Sequence, residues 1–250
     1  MGELAGCRAR PVLRIERVAE EALGGSLLDL REHVRGEVAT ARGRGYAALK
    51  TIAAYRSGLD VAPPDASAAE RALLARRGRA VTRLEEKALV DLVLWEALEA
   101  NEATGDPLPV QVHAGFGDPD VLMPRADPGY LKPLVERFRA TAFVLLHCYP
   151  FVREAGWLAH VYANVFFDLS LTIPHVARPA EQVREALELA PVSKLLYASD
   201  ALAPELYFLA ARRWREALAE VLAEALPPDE AERAGRAVLR ENALALYGLA

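Results

Sequence analysis

Cysteine is scarce in this chain: Cys7 and Cys148 are the only two among 250 residues, with no CxxC arrangement. That excludes a disulfide framework and a thiolate metal knuckle, and two free thiols of a reducing compartment are expected. Long apolar runs are missing too, none approaching the ~18 residues of a membrane span. The opening Met-Gly-Glu-Leu-Ala-Gly-Cys-Arg has no charged-then-apolar layout of a secretion signal, and Gly6 stands where a myristoylation signal carries Ser or Thr. A cytoplasmic protein without membrane contact is expected. Basic excess is absent, with a net charge of -5, whereas a nucleic-acid partner requires a basic face. The arginines of 71–83 and 212–215 are interleaved with Glu and Ala, as on solvated helix faces. No GxSxG elbow occurs, which weakens a serine hydrolase. Gly43-Arg-Gly45-Tyr-Ala-Ala48 has the spacing of a dinucleotide fingerprint but precedes a strand, and Gly115-Phe-Gly117 runs into Asp118-Pro-Asp120, which would repel a pyrophosphate.

What the chain does have is a set of short apolar runs that end on polar, metal-competent residues. Leu108-Pro-Val-Gln-Val-His113 is the first, 142–147 ends on His147, and 194–200 ends on Asp200. Such runs read as buried strands of a parallel sheet, and α/β folds place their chemistry at the carboxyl ends of those strands. Further strands are expected at 10–15, 46–52 and 164–168. Helical periodicity covers 16–42, with Ser26 as N-cap and Asp29 at the capping-box position. Helices are also expected at 67–78, 83–104, 129–139, around Trp157, from near Pro174, at 204–224, and in two short pieces reaching Tyr247. Leu84, Ala88, Leu92 and Trp95 form a core-facing stripe. Alternation of strand and helix implies right-handed βαβ units in one domain over 1–250. Six strands are counted, where a closed barrel of this kind needs eight.

Lys50, His113, His147, Asp168 and Asp200 are the polar strand ends. Imidazole and carboxylate suit zinc, manganese or ferrous iron, zinc foremost, and a histidine or aspartate beside such an ion can act as general base. A single strand-end histidine is more often structural, but two histidines and an aspartate ending three strands reverse that balance. Asp168 reads equally as a residue orienting a ligand or as a cap of the following turn. Ser199 is expected to hydrogen-bond Asp200, Cys148 to pack, and His33, His160 and His175 to lie on the surface or pack. Arg56, on the loop after the second strand, is expected to hold a substrate carboxylate, since guanidinium pairs carboxylate bidentately.

Leu49-Lys-Thr-Ile-Ala-Ala-Tyr-Arg-Ser-Gly58, Gln111-Val-His-Ala-Gly-Phe-Gly-Asp118, Leu145-Leu-His-Cys-Tyr-Pro-Phe151, Phe167-Asp-Leu-Ser-Leu-Thr-Ile-Pro174 and Tyr197-Ala-Ser-Asp200 resemble the amidohydrolase-related family. The likeness continues through 204–213 and 242–247. It is to the amidohydrolase domain fused to glutamine-synthetase-like domains in nodulin-like and fungal developmental proteins. The resemblance implies an α/β TIM-type (β/α)8 barrel carrying a divalent metal. By its pattern His113 closes strand five as a ligand, and His147 closes strand six as second ligand or catalytic acid/base. Asp200 closes strand eight as ligand and general base. Lys50 falls on strand four, where some relatives use a carbamylated lysine; carboxylate binding and a structural role stay open beside that. The implied activity is metal-dependent hydrolysis of a carbon–nitrogen bond in a small molecule, with γ-glutamyl amides suggested by the fusion partner. A decarboxylase and a non-catalytic binding or oligomerising module are the alternatives.

The family carries His-x-His on strand one, and this chain has no His-x-His. Its strands match three to eight, with C-terminal helices following. The expectation is an N-terminally truncated barrel whose coding frame continues upstream of Met1 into a strand bearing His-x-His. A degenerate barrel with a three-ligand site of His113, His147 and Asp200 is the other reading. The unclosed form is expected to self-associate as a homo-oligomer through its open edges.

Overall fold

The computed structural model describes residues 8–76, 78 and 83–249; Cys7 lies outside them. Six short strands form one parallel sheet: β1 (Val12–Arg14), β2 (Ala48–Thr51), β3 (Val110–Ala114), β4 (Phe143–His147), β5 (Val165–Asp168) and β6 (Leu195–Leu196). Their order in space is their order in the chain, without reversal. That progression belongs to α/β barrels; a doubly wound sheet reverses at a switch point. Among the described residues β1 and β6 are the edges. No helix there is long and apolar enough to cross a membrane.

The pleat sorts the side chains. Thr51, Val112, Leu145, Phe167 and Leu195 share one row of the register, and all but Thr51 join the main core beneath the helices. Those helices include α1 (Ile15–Ala22), α2 (Leu27–Ala41), α3 (Ala66–Arg76), α4 (Lys87–Ala103), α5 (Lys132–Arg137) and α6 (Val152–Val161). After β5 come α7 (Thr172–His175) and α8 (Pro179–Leu187), then α9 (Pro204–Ala225), α10 (Pro228–Arg236) and α11 (Asn242–Tyr247). The alternate row, Arg14, Lys50, Gln111, Val144 and Phe166, faces the other way. There Val144, Leu146 and Leu196 form a small second core with Phe166 and with Ala243, Leu246 and Tyr247 of α11. Gln111 Nε2 donates to Tyr247 Oη at 3.0 Å.

Three local expectations change. The periodicity of 16–42 is two helices, parted after Ala22 by Gly24 and Gly25; Ser26 then caps α2 in the expected reciprocal box with Asp29. The helix expected from near Pro174 is the four-residue α7 followed by α8, which begins at Pro179, a position proline favours because its missing N–H would be unpaired anyway. The run 194–200 is a strand only at Leu195–Leu196. From Tyr197 the backbone leaves the sheet, its N–H donating to Val238 O at 3.0 Å, so Asp200 stands on a loop beyond β6.

Two buried polar groups fix the strands that carry the candidate site. Asn101 on α4 donates to Leu108 O at 2.8 Å and accepts from Leu108 N at 2.9 Å, steering the chain into β3. Glu16 accepts from Thr51 Oγ1 and from Ile52 N, at 2.9 Å for the latter, while its Oε2 has no partner. Burial raises its pKa above 4.5, outweighing the lowering by Thr51 and Ile52.

Asn101→Ala leaves both Leu108 backbone groups unpaired, and a loss of about 2–4 kcal/mol is expected in urea denaturation; a loss under ~1 kcal/mol would show that water replaces the side chain. Glu16 contributes stability fully below its unfolded pKa, and that contribution fades as pH rises through the raised folded value. The stability of Glu16→Gln relative to wild type should therefore climb as pH rises from the ordinary carboxylate range towards neutrality. A flat difference across that range would contradict dominance by burial.

Candidate active site

The carboxyl ends of β2, β3 and β4 open into a cleft lined by Arg14, Lys50, Tyr55, His113, Asp118, His147 and Asp200, with Arg56, Arg83 and Asp120 beside them. His113 lies one residue before the end of β3 and His147 is the last residue of β4. The strands are in register His113↔Leu146 and Ala114↔His147, and the rings meet with centroids 4.5 Å apart, tilted by 59°. That contact needs an unusual backbone at His147, because its strand neighbour Leu146 already occupies the position across from His113. The structure supplies it: His147 has φ 69° and Cys148 φ 66°, the left-handed region that non-glycine residues seldom enter.

Asp168 holds that conformation. Its Oδ1 accepts from His147 N at 2.9 Å and from Ser170 N at 2.9 Å. One oxygen thus caps its own turn, as one of the two expected roles has it, and also clamps the backbone of the neighbouring histidine. Thr172 Oγ1 donates to His147 O at 2.6 Å, and Ser170 Oγ lies 2.7 Å from His147 Nδ1. With Nδ1 engaged, Nε2 is the nitrogen left for the cleft. Cys148 packs as expected, fully buried, its thiol donating to Leu145 O at 3.5 Å.

His113 is held by packing. Tyr55 lies against its ring at 4.4 Å and accepts at Oη from Asp118 N at 3.1 Å. A Cβ on Gly117 would stand 1.8 Å from that hydroxyl oxygen, and one on Gly115, at φ +76°, 2.3 Å from Tyr149 O. Only glycine lets the loop after β3 pass both. His113 is 4% exposed and His147 1%, and the Nε2 of each is buried without a hydrogen-bond partner. Burial, then the Lys50 ammonium, pushes His113 down to about 4. Burial, then His113 and Lys50, pushes His147 well below its ordinary value. Both rings are therefore neutral at physiological pH, the form that ligates a metal.

Asp200 approaches from the loop after β6 at φ 49°, with Oδ2 3.9 Å from His147 Nε2. Its side chain is 45% exposed, and burial still raises its pKa, with Lys50 lowering it and Asp118 raising it. Ser199 Oγ accepts from Ala201 N at 3.4 Å, so it braces the loop, not the Asp200 carboxylate as expected. Arg56 lines the cleft, but its Nη2 is 3.3 Å from Glu20 Oε1. His175 is exposed at the rim, Nδ1 on Leu171 O at 2.8 Å. Sequence reasoning passed over Ser170, Thr172 and Tyr55. The first two could have been flagged as small hydroxyl residues two and four positions past a strand-end aspartate.

Does this site fit a divalent metal? Among the described residues no three His, Cys, Asp or Glu side chains converge as a ready-made cluster. Two neutral imidazoles with orphaned Nε2 atoms nevertheless form a donor pair, and Asp200 is the carboxylate near enough to complete it. The donor set fits.

The family model described as Amidohydrolase matches residues 33–249. Among curated proteins, protein fluG of Emericella nidulans is 35% identical over 219 residues, covering 80% of this chain and 25% of that protein. The chain thus spans a quarter of the length of this relative. Among solved structures, a protein of Lactobacillus casei ATCC 334 assigned as a metal-dependent hydrolase superposes with a TM-score of 0.92 at 32% identity, over 99% of this chain and 68% of that one. A TIM-barrel protein of Bordetella bronchiseptica superposes with a TM-score of 0.57 at 14% identity, over 99% and 69%. That last likeness concerns the fold alone, which is of α/β TIM type.

Replacing Asp168 tests the clamp on His147. Asp168→Ala orphans two buried N–H groups and releases a left-handed residue, at an expected cost of about 2–5 kcal/mol. Asp168→Asn keeps an acceptor oxygen and should lose less than half of that in the same urea melts. Equal losses for the two variants would argue against the Oδ1 clamp.

Proposed function

The chain belongs to the amidohydrolase family, and from that premise we propose that it is a metal-dependent hydrolase cleaving a carbon–nitrogen bond of a small-molecule amide. The observation that carries this reading is the pair of buried, neutral imidazoles whose Nε2 atoms have no partner, with a carboxylate 3.9 Å from one of them. His113 and His147 would hold the ion through Nε2, and Asp200 through its carboxylate; zinc suits this donor set first, with manganese and iron as alternatives. The chemistry such an ion supplies when bound is hydroxide near neutral pH and polarisation of the carbonyl.

The chain's own residues do the rest. Ser170 fixes the His147 ring by its Nδ1, and with the proton held on that nitrogen the lone pair is left on Nε2, oriented for a ligand. Burial keeps both rings uncharged. Asp200, on the more open side of the cleft, takes the proton of the attacking water at Oδ2 and returns it to the nitrogen as the C–N bond breaks. Lys50 and Arg56 bind the substrate. γ-Glutamyl amides are one substrate class consistent with this assignment.

Metal content tests the reading directly. The chain reconstituted with Zn²⁺ should retain about one equivalent by elemental analysis after gel filtration, and His113→Ala or His147→Ala should lose it. Failure of the wild-type chain to retain zinc, manganese or iron would favour a non-catalytic binding module. Asp200→Asn should keep the fold while kcat on an amide substrate falls ~10² or more, the scale of lost general-base help. Near-full turnover by that variant would remove Asp200 from the proton transfers.

A further inference from the structure

Arg14 and Lys50 are direct partners in the β1–β2 register, so the pleat turns both side chains to the same face, and like charges so placed repel. Arg56 reaches the same cleft from the loop beyond β2. The carboxylate set among these three cations is that of Glu20. It lies 3.3 Å from Arg56 Nη2 and 4.0 Å from Arg14 Nη2, and accepts in addition from Leu84 N at 3.0 Å. Among the described residues the Lys50 ammonium makes no hydrogen bond or ion pair. The Arg56 side chain is only 6% exposed, yet its Nε, like that of Arg14, is buried without a hydrogen-bond partner. Arg83, further round the cleft, is ion-paired with Asp120 at 2.6 Å and with Glu85 at 2.9 Å.

Among the described residues Glu20 is the one carboxylate within ion-pair distance of any of these three cations, and with two guanidinium Nε donors unsatisfied the arrangement is incomplete. A buried donor lacking an acceptor is costly, and guanidinium forks match a planar anion. Asp118 and Asp200 line the same cleft and disfavour a doubly charged group. We propose that Arg14, Arg56 and Lys50 form a carboxylate subsite, with Glu20 as the positioning residue that holds the two arginines. The substrate is then a carboxylic acid whose anionic group lies apart from the bond that is cut. The word substrate rests on the hydrolase reading; the carboxylate binding does not.

Isothermal titration of the full chain, freed of metal with EDTA and at low salt, tests this with butyrate, glutarate, butylamine and inorganic phosphate. Both carboxylates should bind, the amine should not, and phosphate should bind more weakly than butyrate. Arg14→Lys and Arg56→Lys keep the charge beside Glu20 but lose the fork, so each should weaken butyrate about tenfold. Phenylglyoxal labelling of the wild-type chain, read by mass spectrometry, gives an answer that needs no variant. Butyrate should protect Arg14 and leave the exposed Arg137 unprotected. The proposal is overturned by no butyrate binding, by tighter phosphate or amine binding, by unchanged affinity in both lysine variants, or by unprotected Arg14. Butyrate binding without any amide turnover would overturn the hydrolase and leave the subsite standing. Turnover of amides without butyrate binding would do the reverse.

Discussion

A single carboxylate oxygen, Asp168 Oδ1, underlies the geometry of the cleft. It takes two backbone N–H groups, one from its own turn and one from His147 on the adjacent strand. The second bond is what lets a β-strand end in two successive left-handed residues, a conformation that costs of order 1–3 kcal/mol per residue unless its surroundings impose it. Without that turn His147 would follow the strand pleat, and its ring would not meet His113. Thr172 and Ser170, next along the same segment, grip the carbonyl and the ring. Three consecutive functions of one short loop thus orient one side chain. The aspartate is itself buried, and that burial raises its pKa despite the N–H bonds, so the clamp is built at an electrostatic cost.

Around that centre the charges are sorted. Burial strips both imidazoles of their protons, and Lys50 reinforces this from β2. With the rings deprotonated each Nε2 keeps a free lone pair, the form a metal ion requires and a protonated ring lacks. Arg14, Lys50 and Arg56 make the β1–β2 side of the cleft positive, while Asp118 and Asp200 keep another part of its lining negative. The Tyr55 ring against His113 and the hydrogen bond from Asp118 N to its hydroxyl tie the loops after β2 and β3 together.

Much of the fold was legible because its signals are local. Apolar runs that end abruptly, turn residues between them and the Ser26–Asp29 box all mark elements by composition within a few residues. His113 and His147 stood out for the same reason, each closing such a run. What stayed hidden was set by partners distant in sequence. Tyr197-Ala-Ser-Asp200 has the composition of a strand, yet Tyr197 bonds to Val238 some forty positions on, and Asp200 therefore comes from a loop. Glu16 sits inside the stretch 16–42 whose periodicity marks only a helix, and nothing local shows that Thr51 at the end of β2 and Ile52 just beyond it hold its carboxylate in the core.

By itself the sequence determined the parallel α/β architecture, the capping of α2, and the placing of the polar side chains of His113, His147 and Asp200 at or beyond the ends of apolar runs. Those follow from side-chain chemistry and hydrophobic period, which act at short range and survive in any context. Tertiary structure alone decided that two histidines on different strands share one space, that both are neutral, and that Arg56 answers to Glu20. Burial and register create those properties, and neither exists until strands distant in the chain lie side by side.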